Sequence, residues 1–205
     1  MSDTHQNFTK IRFEIELHCA STQAWLEQVM HDFDSFLQDH ADCERKASAM
    51  AMSFVAKYPE RTEIIPDLIE TGIEELEHFR QVYALMARRG VSLAAEIQPD
   101  LYAKQLLALA HGGTHATRFR DRLLIASIIE CRGCERFKMV SEAQDDPELQ
   151  RFYKQLWASE AKHSHIFVNM ALHFFPEKEV HQRLEVLLHE EANILQGLEL
   201  RAALH

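Results

Sequence analysis

The sequence predicts an all-α fold, a four-helix bundle with additional short and C-terminal helices, and three observations lead to it. Only six Gly and five Pro occur in 205 residues, too few turn formers for a chain of many short strands. Apolar side chains, 46% of the total, recur at spacings of three and four over four long stretches, the period of a helix face. In each of those stretches a glutamate, alone or with a histidine, interrupts the apolar stripe.

Residues 10–17, KIRFEIEL, alternate polar and apolar, so Ile11, Phe13, Ile15 and Leu17 would share one face of a short strand. Ser21 or Thr22 can cap a short helix reaching about residue 30. The first long helix is expected over residues 32–57, with Phe33, Leu37, Ala41, Glu44, Ala47, Ala51 and Val55 as its inward stripe. The second begins near Pro66, a residue tolerated in a first turn, and ends at Gly90, which suits the left-handed position after a helix. Its stripe is Leu68, Gly72, Glu75, His78, Val82 and Leu85. A shorter helix is expected over residues 99–110, and HGGTH at 111–115 breaks the chain. The third long helix covers about 117–143, with Leu123, Ala126, Glu130, Gly133, Cys134 and Phe137 inward. Asp146 and Pro147 start the fourth, whose stripe is Tyr153, Leu156, Glu160, His163, Phe167 and Met170. Pro176 ends it, and a last amphipathic helix is expected over 177–204. No flexible linker interrupts the chain, so residues 1–205 read as one domain.

The formal net charge of −10 excludes a surface that is basic throughout. No apolar run is long enough to span a bilayer, and MSDTHQNFTK lacks the apolar core of a signal peptide. Cys19, Cys43, Cys131 and Cys134 do not form a dense secreted framework, so the cytoplasm is the expected compartment.

Glu75-Leu-Glu-His78 and Glu160-Ala-Lys-His163 are both E-x-x-H, a spacing that puts two donors on one side of a helix. In a chain this rich in Glu, and with 13 His, roughly one or two such pairs arise by chance. Placement carries more weight. Each pair lies on an apolar stripe, and each follows a stripe glutamate on the preceding long helix, Glu44 by 31 residues and Glu130 by 30. The chain is therefore two similar helix pairs of pattern E…E-x-x-H, the ligand set of bundles that bind two metal ions. Four carboxylates offset two divalent cations, and oxygen-rich ligation with two imidazoles suits iron or manganese. Glu135 competes with Glu130 for the third helix, but its spacing to Glu160 breaks the repeat. His40 and His165 read as surface or supporting histidines. Cys131 and Cys134 form a C-x-x-C in mid-helix with no second such pair, and read as small thiols packed in the bundle.

The stretches DHADCERKASAMAMSFVAKYP, IEELEHFRQVYALMARRG, RLLIASIIECRGCERF and WASEAKHSHIF resemble the bacterial tRNA hydroxylase family MiaE. The resemblance runs from about Trp25 into the last helix. It implies a ferritin-like four-helix bundle with a dinuclear metal site of two iron ions, with O2 as co-substrate and two electrons from an external reductase. The implied reaction hydroxylates the isopentenyl group of 2-methylthio-isopentenyladenosine next to the anticodon of tRNA. Glu44, Glu75, His78, Glu130, Glu160 and His163 stand at the six ligand positions. The alternative is a ferritin-like ferroxidase, peroxidase or manganese catalase that uses the same ligands without an organic substrate.

Residues 115–138 carry six basic side chains against three acidic ones. Arg118, Arg122, Arg132 and Arg136 fall near one helical face, which is expected either to hold phosphates of the anticodon stem-loop or to be a solvated face. The oligomeric state stays open.

Overall fold

The structure, a computed structural model, describes residues 15–96 and 98–205. Seven helices form among them: α1 (Gln23–His31), α2 (Phe33–Lys57), α3 (Ile65–Arg89), α4 (Leu101–Ala108), α5 (His115–Ala143), α6 (Pro147–Leu172) and α7 (Glu177–Gly197). Local chemistry sets their starts. Thr22, Asp32, Asp100, Thr114 and Asp146 each accept a backbone N–H of the following turn, satisfying a donor that the helix leaves free. Pro66 lies in the first turn of α3, and Gly90, at φ 72°, closes it in the left-handed region.

Two expectations change here. Of the strand expected at 10–17, residues 10–14 lie outside the described residues, and 15–17 form no regular structure. The last helix stops at Gly197 rather than 204, and Leu198 turns the chain into extended backbone. Residues 198–205 then fold back over the bundle. Trp25 Nε1 donates to the Ala203 carbonyl at 3.0 Å, Asp39 accepts the Leu204 N–H at 2.7 Å, and Arg136 donates to the Leu204 carbonyl. Ala203 and Leu204 are buried. Glycine is a poor helix residue, and these tertiary bonds replace the ones a longer helix would have made.

The bundle is made of two hairpins, α2 with α3 and α5 with α6, which are its most extensive packing contacts. Two apolar clusters lie at its two ends. One contains Phe54, Leu68, Phe119 and Phe167; the other contains Leu37, Val82, Phe137 and Leu156. Along each long helix the glutamate or E-x-x-H lies between its contributions to the two clusters. The order of the clusters reverses between α2 and α3 and between α5 and α6, so each hairpin is antiparallel. A polar layer is thus enclosed across the middle of the bundle.

The seams differ. α3 and α6 approach closely, whereas among the described residues α2 and α5 make no close backbone approach. α4 and α7 pack together on the α5 side. Among the described residues no helix is long and apolar enough to cross a membrane.

The outward side of α5 corrects the expected arginine face. Arg132 is fully buried: it pairs with Glu191 of α7 at 2.9 Å and Glu135 at 2.6 Å, and donates to the Cys19 carbonyl at 2.8 Å. Arg136 is buried too, bonded to Ser21 Oγ at 3.0 Å and set 4.4 Å from the Trp25 ring centroid. The segment before α1, helix α7 and residues 198–205 cover this face, so these two arginines clamp the fold and cannot meet phosphate. Arg118 remains exposed and Arg122 half-buried.

Candidate metal centre

Glu44 comes from α2, Glu75 and His78 from α3, Glu130 from α5, and Glu160 and His163 from α6. All six are buried. Ligand atoms of Glu75, His78, Glu160 and His163 lie within 4.8 Å of one another. His163 Nδ1 is 2.7 Å from Glu75 and 2.9 Å from Glu160, and His78 Nδ1 is 2.9 Å from Glu160, 3.3 Å from Glu75 and 3.7 Å from Glu44. Each E-x-x-H histidine therefore meets carboxylates of both hairpins. Glu130 faces the same group: after burial, the charges of Glu75 and Glu160 are what push its carboxyl well above the ordinary range. Glu135 points elsewhere, accepting from the Ser21 N–H at 2.7 Å and from Arg132, so among the two α5 glutamates it is Glu130 that meets the cluster.

Neighbouring side chains orient the imidazoles. His163 Nε2 lies 2.6 Å from Glu74, which stands half in solvent, and His78 Nε2 lies 3.1 Å from Ser159 Oγ. With Nε2–H directed outward, the Nδ1 lone pair points into the carboxylate layer, the arrangement that metal-ligating histidines adopt. His40, fully buried, bonds Glu44 through Nε2 at 2.7 Å and Tyr153 through Nδ1 at 3.2 Å. Burial and then the charge of His78 hold its pKa down to about 3, so it stays neutral and donates to Glu44. His40 is thus an inner supporting residue rather than a surface one. His165 is half-buried, and its Nδ1 has no hydrogen-bond partner.

The donor set fits two cations. Glu75 Oε1 and Glu160 Oε1 are buried and accept no hydrogen bond, although each lies beside an imidazole nitrogen. Close but misaligned donors are what lone pairs converging on a cation produce. Without a cation, protons must fill that role. Burial alone would lower the pKa of His163, but hydrogen bonds and charge from Glu160 and Glu75 outweigh it and push it up to about 12. Burial also raises the Glu44 carboxyl. The cysteines stand apart: Cys131 donates to the Ile15 carbonyl at 3.6 Å and Cys134 to the Trp157 carbonyl at 3.7 Å. Burial pushes their thiols up to about 11 and 12, against ready thiolate chemistry.

An apolar chamber of about 320 Å³ reaches this centre along the α2/α5 seam. Glu44, Glu130 and Glu160 form its polar end, Met50, Phe54, Ile129 and Phe137 its sides, and Leu107 of α4 and Leu204 close it outward. Sequence reasoning missed Glu74, Ser159 and the chamber wall. Glu74 directly precedes Glu75 and lies off the inward stripe of α3, and the approach of α3 to α6 is what brings it to His163.

The metal-free centre carries a testable signature. His163 and Glu130 both bind protons more tightly folded than unfolded, so stability should fall as pH rises, through Glu130 from 4.5 upward and through His163 from 6.5 into the alkaline range. Thermal melts of metal-free protein should show that fall, and added Fe(II) or Mn(II) should abolish it. Glu130→Leu should weaken metal binding more than roughly 100-fold, yet leave the metal-free protein at least as stable. A large loss of metal-free stability would give Glu130 a structural partner instead.

Residues 9–205 match the family described as tRNA-(MS[2]IO[6]A)-hydroxylase (MiaE). A tRNA 2-(methylsulfanyl)-N(6)-isopentenyladenosine(37) hydroxylase of Pseudomonas putida (strain KT2440) is 34% identical over 181 residues, 88% of this chain and 87% of the relative. The hydroxylase of the same name from Salmonella typhimurium (strain LT2) is 27% identical over 204 residues, 76% of this chain and 74% of the relative. The solved structure of Protein 43 with aldehyde deformylating oxygenase activity from Synechococcus aligns at a TM-score of 0.86 and 33% identity, covering 93% of this chain and 96% of that one. A helical bundle with two E…E-x-x-H hairpins, matched over nearly its whole length, makes this chain a member of the MiaE family of tRNA hydroxylases.

Proposed function

We propose that this chain is a di-iron tRNA monooxygenase that hydroxylates the isopentenyl group of 2-methylthio-isopentenyladenosine beside the anticodon. The observation that carries this reading is the apolar chamber ending on Glu44, Glu130 and Glu160 in a chain of this family. Glu44, Glu75, His78, Glu130, Glu160 and His163 would hold two iron ions, which when bound supply O2 activation with electrons from an external reductase. The protein's own part is placement and exclusion. Met50, Phe54, Ile129 and Phe137 bind a short branched hydrocarbon and keep water from the polar end. Glu74 and Ser159 fix the histidines, and His40 fixes Glu44.

Gly133 supports the chamber as a substrate site. It lies in the middle of α5, one turn after Glu130, where glycine costs about 1 kcal/mol relative to alanine. No atom lies within 4 Å of where its Cβ would stand, so packing does not require it. Its missing side chain leaves room in the chamber it lines.

A second reading follows from the solved relative named for aldehyde deformylating oxygenase activity. A fatty aldehyde would fill the same chamber. The cations at the chamber mouth, Lys46 and Arg122, favour an anionic substrate over a neutral one. A ferroxidase or catalase would need no apolar chamber.

Nucleoside mass analysis of tRNA from cells lacking and then regaining this protein should show the methylthiolated prenyl-adenosine gaining one oxygen; an unchanged nucleoside would overturn the reading. Gly133→Ala should raise stability by about 0.5–1 kcal/mol. Gly133→Leu should fill the chamber and cut kcat/KM on the prenylated substrate roughly 100-fold, with iron content unchanged. Full activity in the leucine variant would remove the chamber from the substrate path.

A further inference from the structure

Outside the chamber lies a second recess of about 690 Å³, which shares Lys46, Asp100, Ala103, Leu107 and Arg122 with it. Four cations line this recess, Lys46, Lys104, Arg118 and Arg122, against one carboxylate, Asp100. Asp100 is engaged as the cap of α4, with Oδ1 accepting the Ala103 N–H at 2.8 Å. Lys46 is paired with Asp42 at 2.5 Å. Lys104, Arg118 and Arg122 have no ion-pair partner among the described residues, and the Arg122 guanidinium rests 5.4 Å from the Phe54 ring centroid.

Such a group stands against the overall charge of the chain. The net charge is −10, and several other cations pair with carboxylates: Arg45 with Asp42, Arg80 with Glu77, Arg88 with Glu148, Arg120 with Asp121 and Arg132 with Glu191. Arg118 also lies in the first turn of α5, which holds no acid. That is the positive end of the helix dipole, where a cation is disfavoured and an anion stabilised. Two guanidiniums one turn apart repel each other as well. All three contributions are unfavourable in the free protein, and all are relieved by one anion seated in the recess.

The shared wall fixes what kind of anion. A ligand that fills both spaces has a short apolar group beside a negatively charged body with more than one anionic group. We propose that the recess is a phosphodiester subsite for RNA: Lys104, Arg118 and Arg122 hold backbone phosphates flanking the modified base while its apolar substituent enters the chamber. This assignment rests on the hydroxylase reading for the identity of the polyanion. It replaces the four-arginine face with a different set, in which Lys104 joins Arg118 and Arg122 and the two buried arginines drop out.

The test is direct binding of a labelled, unmodified anticodon stem-loop RNA to the whole protein, followed by fluorescence anisotropy at several salt concentrations. Lys104 and Arg118 are exposed, so Lys104→Gln/Arg118→Gln should fold normally. Lys154→Gln/Lys178→Gln, two exposed lysines that do not line the recess, is the charge-matched control. The recess pair should lose roughly 10-fold or more in affinity at low salt, and the salt dependence of log Kd should flatten by about two phosphate contacts. The control should bind like wild type, and melting temperature and iron content should be equal in all three. No RNA binding by wild type, equal losses in both pairs, or unchanged binding in the recess pair would each overturn the subsite. Binding that depends on the recess, in a protein that adds no oxygen to tRNA, would uphold the subsite and sink the hydroxylase reading. Oxygen transfer with unchanged binding in the recess pair would do the reverse.

Discussion

Everything in this structure answers to one constraint: four carboxylates and two imidazoles are enclosed between two apolar clusters, without enough protein cations to balance them. Glu44, Glu75, Glu130 and Glu160 are all buried, and the nearest positive groups are the two histidines among them. Isolated carboxylates in such a site cost several kcal/mol each unless paired. Two divalent cations neutralise the set, whereas protons do so only by holding Glu44, Glu130 and His163 above their ordinary titration ranges. The four long helices, each carrying its polar residue between two apolar ends, are what keep this layer dry and in register.

The same layer makes the bundle lopsided. On the α3/α6 side the backbones close, and both histidines with their outer partners Glu74 and Ser159 stand there. On the α2/α5 side the backbones stay apart, and Glu44 and Glu130 look into the chamber. A metal centre clamped on one side and open on the other suits chemistry on a guest molecule better than storage. α4 and residues 198–205 form the outer wall of that opening, and Lys104, Arg118 and Arg122 line the recess just outside it. Depth, apolarity and charge therefore grade from the centre to the surface in the order that a prenylated nucleotide within an RNA would require.

Much of this was legible in the sequence, because it depends on local period and short-range order. Stripe positions of Glu44, Glu75, His78, Glu130, Glu160 and His163 follow from helical spacing, and the repeated interval from glutamate to E-x-x-H reveals the two hairpins. Caps at Thr22, Asp146 and Gly90 were equally visible. What the sequence hid depends on which element covers which face. Arg118, Arg122, Arg132 and Arg136 share a helical face, yet α7 and two irregular segments bury its second half and leave the first half open. Residues 198–205 look amphipathic enough to continue α7, but bonds to Trp25, Asp39 and Arg136 hold them in another path. Gly133 is plainly a glycine in a helix; that it faces empty space is a property of the splayed α2/α5 seam.

On the proposed function these six side chains hold a pair of metal ions, with one histidine to each ion. Anaerobic loading with Fe(II), followed by a crystal structure with anomalous scattering at the iron edge, tests it most directly. Two iron positions per chain are expected, roughly 3.5–4 Å apart, with His78 on one, His163 on the other, and Glu44 and Glu130 coordinated on the chamber side. A single ion, two ions bound outside the α2/α3/α5/α6 layer, or an iron pair that leaves Glu130 unligated would contradict it.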